Sequence, residues 1–147
     1  MDNNIELLNY IYQNSQMGYT SISDLIDTVE DMEFKEILNS QYDEYLKINE
    51  EAKKLLIKSG KEEKEIGMFA KISSYIMIKI NLMKDKSISH ICEMMLQGSN
   101  MGIIDITKKI NSYDDVEKEN LKLAKRLLTL EEKNIEELQP FLKETKK

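Results

Sequence analysis

Apolar residues recur along the chain at alternating intervals of three and four positions, the spacing that lines one face of an α-helix. Four long runs follow this pattern, and they predict helices over residues 3–29, 31–59, 88–111 and 114–139. Gly60 follows the second run, where a glycine commonly closes a helix, and Pro140 is expected to end or kink the last one. No run alternates apolar and polar residues with a period of two, so the chain is predicted to be all-α.

A longer segment, residues 60–87, separates the second run from the third and contains an apolar helix of its own within 64–84. Only short links join the first run to the second and the third to the fourth. This connectivity predicts an antiparallel four-helix bundle with one long crossover. The whole chain, residues 1–147, has the length of a single domain.

A weak internal repeat relates the first and third runs. Residues 15–18 read Ser-Gln-Met-Gly and residues 99–102 read Ser-Asn-Met-Gly, and each glycine is followed four positions later by isoleucine. A glycine inside a helix costs about 1 kcal/mol relative to alanine, so two at matching positions suggest a shared structural reason. We interpret the repeat as two helices in equivalent positions of a pseudo-twofold bundle, with chance similarity as the alternative.

Each predicted helix carries a polar residue near the middle of its apolar face, and two of these have a polar companion one turn later. Residues three apart share a helix face, so both members of such a pair can point inward. The companions are Glu44, after Gln41, and Asn134, after Glu131. The predicted central polar layer consists of Ser15, Gln41, Ser99, Glu131 and Asn134.

In this layer the chain resembles the ferritin-like superfamily, whose di-metal members supply one Glu from each of two helices and a Glu-x-x-His from each of the other two. Ser15 and Ser99 stand where the lone glutamates belong. The pairs at 41–44 and 131–134 stand where Glu-x-x-His belongs, and only Glu131 matches its position. The segment 90–110 also looks like the third helix of small bacterial members of this superfamily.

The resemblance implies an iron or manganese pair, yet the ligand set is degenerate. Such ions need several anionic oxygens together with imidazole, whereas at most Glu44 and Glu131 could offer carboxylates here. We therefore expect a hydrogen-bonded layer without a cofactor. The alternative is iron or manganese held by atypical ligands, for which the candidates are Glu131, Glu44, Gln41 and Asn134.

Other catalytic chemistry has little support. His90 and Glu93 have the i, i+3 spacing of a ligand pair, but Cys92 projects from another side of the helix. We expect a surface histidine and a small buried thiol. The chain shows no glycine-rich phosphate loop and no arrangement of a nucleophile with a base, so an enzyme is not expected, with a weak di-metal oxidase reading left open.

Charge and composition limit the classes of partner that this chain is expected to bind. The net charge is −6, and twenty lysines accompany a single arginine, Arg126, without any basic block, which argues against nucleic acid. The most apolar stretch, residues 66–83, is short for a bilayer and interrupted by lysines. The lone Cys92 and the polar, acidic first residues suit a cytoplasmic protein.

The crossover helix carries more apolar surface than one bundle face should need to cover. Besides a first apolar stripe, the segment has a second set, predicted to form an interaction surface of Met68, Ile72, Tyr75, Ile78 and Leu82. We predict that this surface forms a homodimer, with another protein partner or weak membrane-surface binding as alternatives. The sequence thus predicts a non-enzymatic interaction or structural protein, with metal binding as the alternative function.

Overall fold

The computed structural model describes residues 2–67, 85 and 87–144, and within these ranges every regular element is helical and no strand occurs. The all-α prediction is therefore confirmed. The elements are α1 (Asn3–Ile26), α2 (Met32–Lys58), α3 (Glu63–Gly67), α4 (Ile88–Ser112), α5 (Lys118–Leu138) and a 3-10 turn (Gln139–Phe141).

The helix ends follow local sequence signals in most places. The Asp31 carboxylate accepts a hydrogen bond from the Phe34 N–H and caps α2, and Ser87 caps α4 through the His90 N–H in the same manner. Gly60 comes directly after the C-cap residue of α2 with φ at 98°, a left-handed conformation that glycine adopts without strain. Pro140 lies in the 3-10 turn just after α5.

The start of α5 differs from the prediction. The acidic residues of the preceding link suggested a start near 114, yet the helix begins at Lys118, and the Glu117 side chain makes no capping bond. The cap comes instead from α1, where Asn4 Oδ1 accepts from the Glu117 N–H at 2.8 Å and from Asn120 Nδ2 at 2.9 Å. A distant helix thus satisfies a donor that the local sequence leaves open.

The end contacts set the direction of the long helices. Asn4 of α1 meets the start of α5, so these two helices are parallel, whereas the salt bridge from Lys58 Nζ to Glu119 Oε1, at 2.8 Å, places the end of α2 beside the start of α5. Ser89 Oγ donates to the Lys143 carbonyl at 3.0 Å, so α4 starts where α5 ends. Residues 59–87 therefore have to connect opposite ends of α5, about 30 Å apart at 1.5 Å per residue.

The core lies between these helices. α1 packs along α2 and α4 along α5, while α5 also contacts both α1 and α2. The largest side chains with no appreciable exposure include Phe34, Leu7, Leu8, Ile11, Ile22, Leu38, Ile48, Leu56, Ile106 and Leu127. Phe34 and Phe141, with ring centroids 5.0 Å apart, close one end of the core.

The crossover is described only at its two ends. Ile66 in α3 is 1% exposed and belongs to the core. The remainder of the predicted extra helix, including the interaction surface at Met68, Ile72, Tyr75, Ile78 and Leu82, lies outside the described residues. Over the described ranges, no helix combines the length and the apolar character needed to cross a membrane.

Candidate functional site

A chain of hydrogen bonds at mid-bundle joins α2 to α5. The Tyr45 hydroxyl donates to Glu131 Oε1 at 2.5 Å and accepts from Asn134 Nδ2 at 3.0 Å. Glu131 and Asn134, three residues apart on α5, therefore both meet Tyr45 of α2. All three residues are buried, and Glu131 is only 2% exposed.

The carboxyl group of Glu131 is held in an unfavourable environment for its charge. Burial raises its pKa above the ordinary value of 4.5, and the contacts with Tyr45, Ser99 and Asn14 offset that rise only in part. Burial, together with the neighbouring Glu131, also raises the pKa of Tyr45 well above 10.0. Tyr45 therefore keeps its proton at neutral pH and acts as a donor to Glu131.

The two glycines of the internal repeat lie against the two partners of this hydrogen bond. A Cβ on Gly18 would come within 2.7 Å of three carbons of the Tyr45 ring, and a Cβ on Gly102 would lie 3.3 Å from Glu131 Oε2. The absence of a side chain lets the ring pack directly on α1 and lets the carboxylate approach α4. Helices α1 and α4 thus use their glycines for the same purpose, which supports the pseudo-twofold interpretation of the repeat.

Ser15 makes its hydrogen bonds in a neighbouring polar group. Its hydroxyl donates to the Ile11 carbonyl at 2.7 Å, and Asn49 Nδ2 donates to the Tyr12 carbonyl at 3.0 Å and lies 3.3 Å from Ser15 Oγ. Asn49 follows Tyr45 by one turn of α2. The predicted single layer is therefore two adjacent groups, one around Glu131 and one around Asn49.

Glu44, which the sequence left as a possible inward carboxylate, lies in a partly exposed ion pair of α2. Its Oε1 lies 3.6 Å from Lys47 Nζ, and 36% of its side chain is exposed. The next residue, Tyr45, takes the inward position instead, because positions i+3 and i+4 flank residue i on opposite sides of the same helix face. Among the metal candidates, Gln41, Glu131 and Asn134 are buried, and Glu131 is their only carboxylate.

These residues do not fit an iron or manganese pair. Oxygen Oε1 of that single carboxylate is already bonded to Tyr45, and the other two side chains are neutral amides. Across the described part of the chain, no three His, Cys, Asp or Glu side chains form a group able to hold a metal ion. The layer is therefore better suited to hydrogen bonding than to binding a metal ion.

His90, Cys92 and Glu93 at the start of α4 do not form a common site either. His90 Nδ1 lies 3.7 Å from Glu93 Oε2 in a partly exposed pair. Cys92 is fully buried in the core, and burial raises the pKa of its thiol to about 12. The thiol therefore stays protonated and unreactive at neutral pH.

A cavity of about 120 Å³ lies beside the Glu131 group, between α1 and α4. Its polar end is formed by Asn14, Gln41, Ser99 and Glu131. Its apolar wall is formed mainly by Met17, Ile22, Leu25, Ile91, Met94 and Met95. Gln41 is 2% exposed, and neither its amide nitrogen nor its amide oxygen has a hydrogen-bond partner among the described residues.

Comparisons with protein-family models, with curated proteins and with solved structures found no match to this chain. Its function therefore has to be argued from the geometry of its own residues.

Three residues of the site were not assigned to the polar layer from the sequence. By spacing, Tyr45 lies among the apolar positions of α2, and Asn49 and Asn14 fall beside the apolar faces of their helices. The available signal was the pair of glycines, because a glycine inside a helix often faces a bulky neighbour. The sequence does not say which side chain that neighbour is.

Replacement of Gly18 by alanine should destabilise the protein relative to replacement of Gly98. Both changes gain the same helix propensity, about 1 kcal/mol, but overpacking typically costs about 1–3 kcal/mol. Only Gly18 incurs that cost, since a Cβ on Gly98 meets no described residue within 4 Å. Urea unfolding should therefore find G18A less stable than G98A by about 1–3 kcal/mol, and equal midpoints would contradict the close approach of Tyr45.

The raised pKa of Glu131 predicts a pH dependence of stability. An acid whose pKa is higher in the folded state favours folding less as pH rises from its unfolded value, 4.5, through its folded value. Glu131→Gln removes this titration and keeps an oxygen that can accept from Tyr45. The stability of E131Q relative to the wild type should rise with pH over that window and then level off, with a gain on the order of 1 kcal/mol.

Glu132→Gln provides the control, because Glu132 is the exposed neighbour on the same helix. The difference between this variant and the wild type should stay nearly constant over the same pH range. A wild type that gains stability over E131Q as pH rises would show that the buried carboxylate is stabilised in its charged form.

Proposed function

We propose that this chain is a non-enzymatic bundle of ferritin-like architecture that acts through protein contacts. The helix directions support the architecture. α1 is antiparallel to α2 and α4 is antiparallel to α5, while the connection between the pairs has to run the length of the bundle. The pairing of Gly18 and Gly102 with the two partners of one hydrogen bond adds support for pseudo-twofold symmetry.

The hydrogen bond between Tyr45 and Glu131 carries the proposal of a non-catalytic role. In a di-metal bundle the mid-bundle carboxylates bind cations, whereas here the inward carboxylate is bonded to a phenol from a helix of the other pair. A buried polar pair of this kind favours one register of the helices over others, as single polar core residues do in other bundles. The layer thus has a structural purpose without a cofactor.

The test of this role is the metal content of the full-length protein purified from cells supplied with iron and manganese. We expect well below one metal per chain, and the same result for Glu131→Ala. Stoichiometric iron or manganese that is lost in E131A would favour the alternative of a metal-binding protein with atypical ligands.

The crossover segment is the proposed contact surface between two copies. Ile66, the first residue of its first apolar stripe, is already buried in the core. By spacing, the second apolar set is expected beside and beyond that stripe, and a second copy of the chain would remove it from water. Met68, Ile72, Tyr75, Ile78 and Leu82 make up this set.

The double change Ile72→Glu with Tyr75→Glu is expected to yield folded monomers, because two charges would lie in the contact surface. The matched control is Met101→Glu with Ile104→Glu, which changes two apolar residues on α4 that are 66% and 53% exposed. Sedimentation should show a dimer for the wild type and for the control. A monomeric wild type at high concentration, or a dimer lost only in the control, would contradict this surface.

A further inference from the structure

The cavity between α1 and α4 has the size of a small organic molecule. Its volume is about 120 Å³. For comparison, an engineered apolar cavity of about 150 Å³ is large enough to hold benzene. Thioether and aliphatic side chains from both helices form most of its wall, and such surfaces adapt readily to an apolar occupant. An alkyl chain of about five carbons matches this space.

The polar end of the cavity contains buried atoms without partners, both an acceptor and donors. Gln41 Oε1, Gln41 Nε2 and Asn14 Nδ2 have no hydrogen-bond partner among the described residues, which is unfavourable for buried polar atoms. Glu131 lines the same cavity, where its Oε1 accepts from Tyr45 and its Oε2 faces α4 near Gly102, and Ser99 and Asn14 also contact the carboxylate. Ser99 contributes a hydroxyl from α4 to the same end. A ligand group with several N–H donors would match these oxygens.

The charge of the residues that line the cavity determines whether the ligand group should be positive or negative. Among the described residues that line the cavity, Glu131 is the only acidic one, and none is Lys, Arg or His. A buried carboxylate without a cation is unfavourable, so a cation that enters with its own apolar tail would be attracted, whereas an anion would be repelled. An ammonium group has three donors and one positive charge, and it meets both requirements.

We propose that this cavity binds a small primary amine with a short apolar tail, whose ammonium group pairs with Glu131 and donates to Gln41. The tail lies against the methionine and isoleucine wall. This proposal does not depend on the proposed dimer or on whether the protein binds a metal, since sedimentation tests the dimer and metal content tests metal binding.

The probes are pentylamine, pentanol and pentanoate, which share one tail and differ in the head group. Methionine methyl signals of the full-length protein report the site, because Met17, Met94 and Met95 line the cavity, while Met32 and Met101 are 68% and 66% exposed elsewhere. We expect saturable shifts of the three lining methyls with pentylamine, weaker shifts with pentanol and none with pentanoate. Equal affinity for amine and alcohol, or shifts confined to the exposed methyls, would overturn the proposal.

Two variants locate the interaction. Glu131→Gln retains shape but loses the charge, and it should weaken pentylamine by about tenfold to a hundredfold while leaving pentanol nearly unchanged. Ser21→Leu adds volume at a lining position and should abolish binding of both compounds. Pentylamine affinity that survives in E131Q would refute the role of the carboxylate, and affinity that survives in S21L would place the ligand outside this cavity.

Discussion

The hydrogen bond from Tyr45 to Glu131 is the constraint around which the four long helices are arranged. It joins α2 to α5, and it brings together a bulky ring and a buried carboxylate at one level of the bundle. The Tyr45 ring leaves no room for a Cβ on Gly18 of α1, and a Cβ on Gly102 of α4 would be in tight contact with the Glu131 carboxylate. One polar contact therefore involves all four helices and explains two glycines that would otherwise only weaken them.

The same arrangement explains why the interior is closely packed in some places and open in others. On the Gly102 side, α4 and α1 are linked where the Tyr10 hydroxyl reaches the Gly102 carbonyl at 3.4 Å and Lys109 Nζ lies 5.0 Å from the Tyr10 ring. Toward the other end of α1, the cavity that Met17 and Met94 line lies between the two helices. Gln41 lies at the border between the layer and the cavity, buried and without a hydrogen-bond partner in the described part of the chain.

Much of the fold could be predicted from the sequence because helix periodicity is a local property. The apolar spacing predicted four long helices, and their observed ends differ from the expected ones by a few residues, chiefly at Ile26 and Lys118. The site was harder to predict from the sequence, because a polar layer depends on the rotation of each helix about its axis. Tyr45 lies on the apolar face of α2 by its spacing, but the spacing does not reveal that its hydroxyl bonds to Glu131 of α5. Likewise, the unpaired state of Gln41 depends on neighbours from other helices, which no pattern along α2 reveals.

The cap that Asn4 provides to α5 has a consequence for the order of folding. Asn4 and Glu117 are 113 residues apart. The first turn of α5 therefore has this hydrogen-bond acceptor only after the start of α1 has met the start of α5. Until then that turn should fray, as uncapped helix starts do, and the amide protons there should exchange with solvent. Closing so long a loop is slow relative to forming helices, and it makes the last step of folding a docking of the terminal helices against each other. The bundle should therefore open first where the start of α1 meets the start of α5, and solvent exchange of the Glu117 amide proton would report that opening.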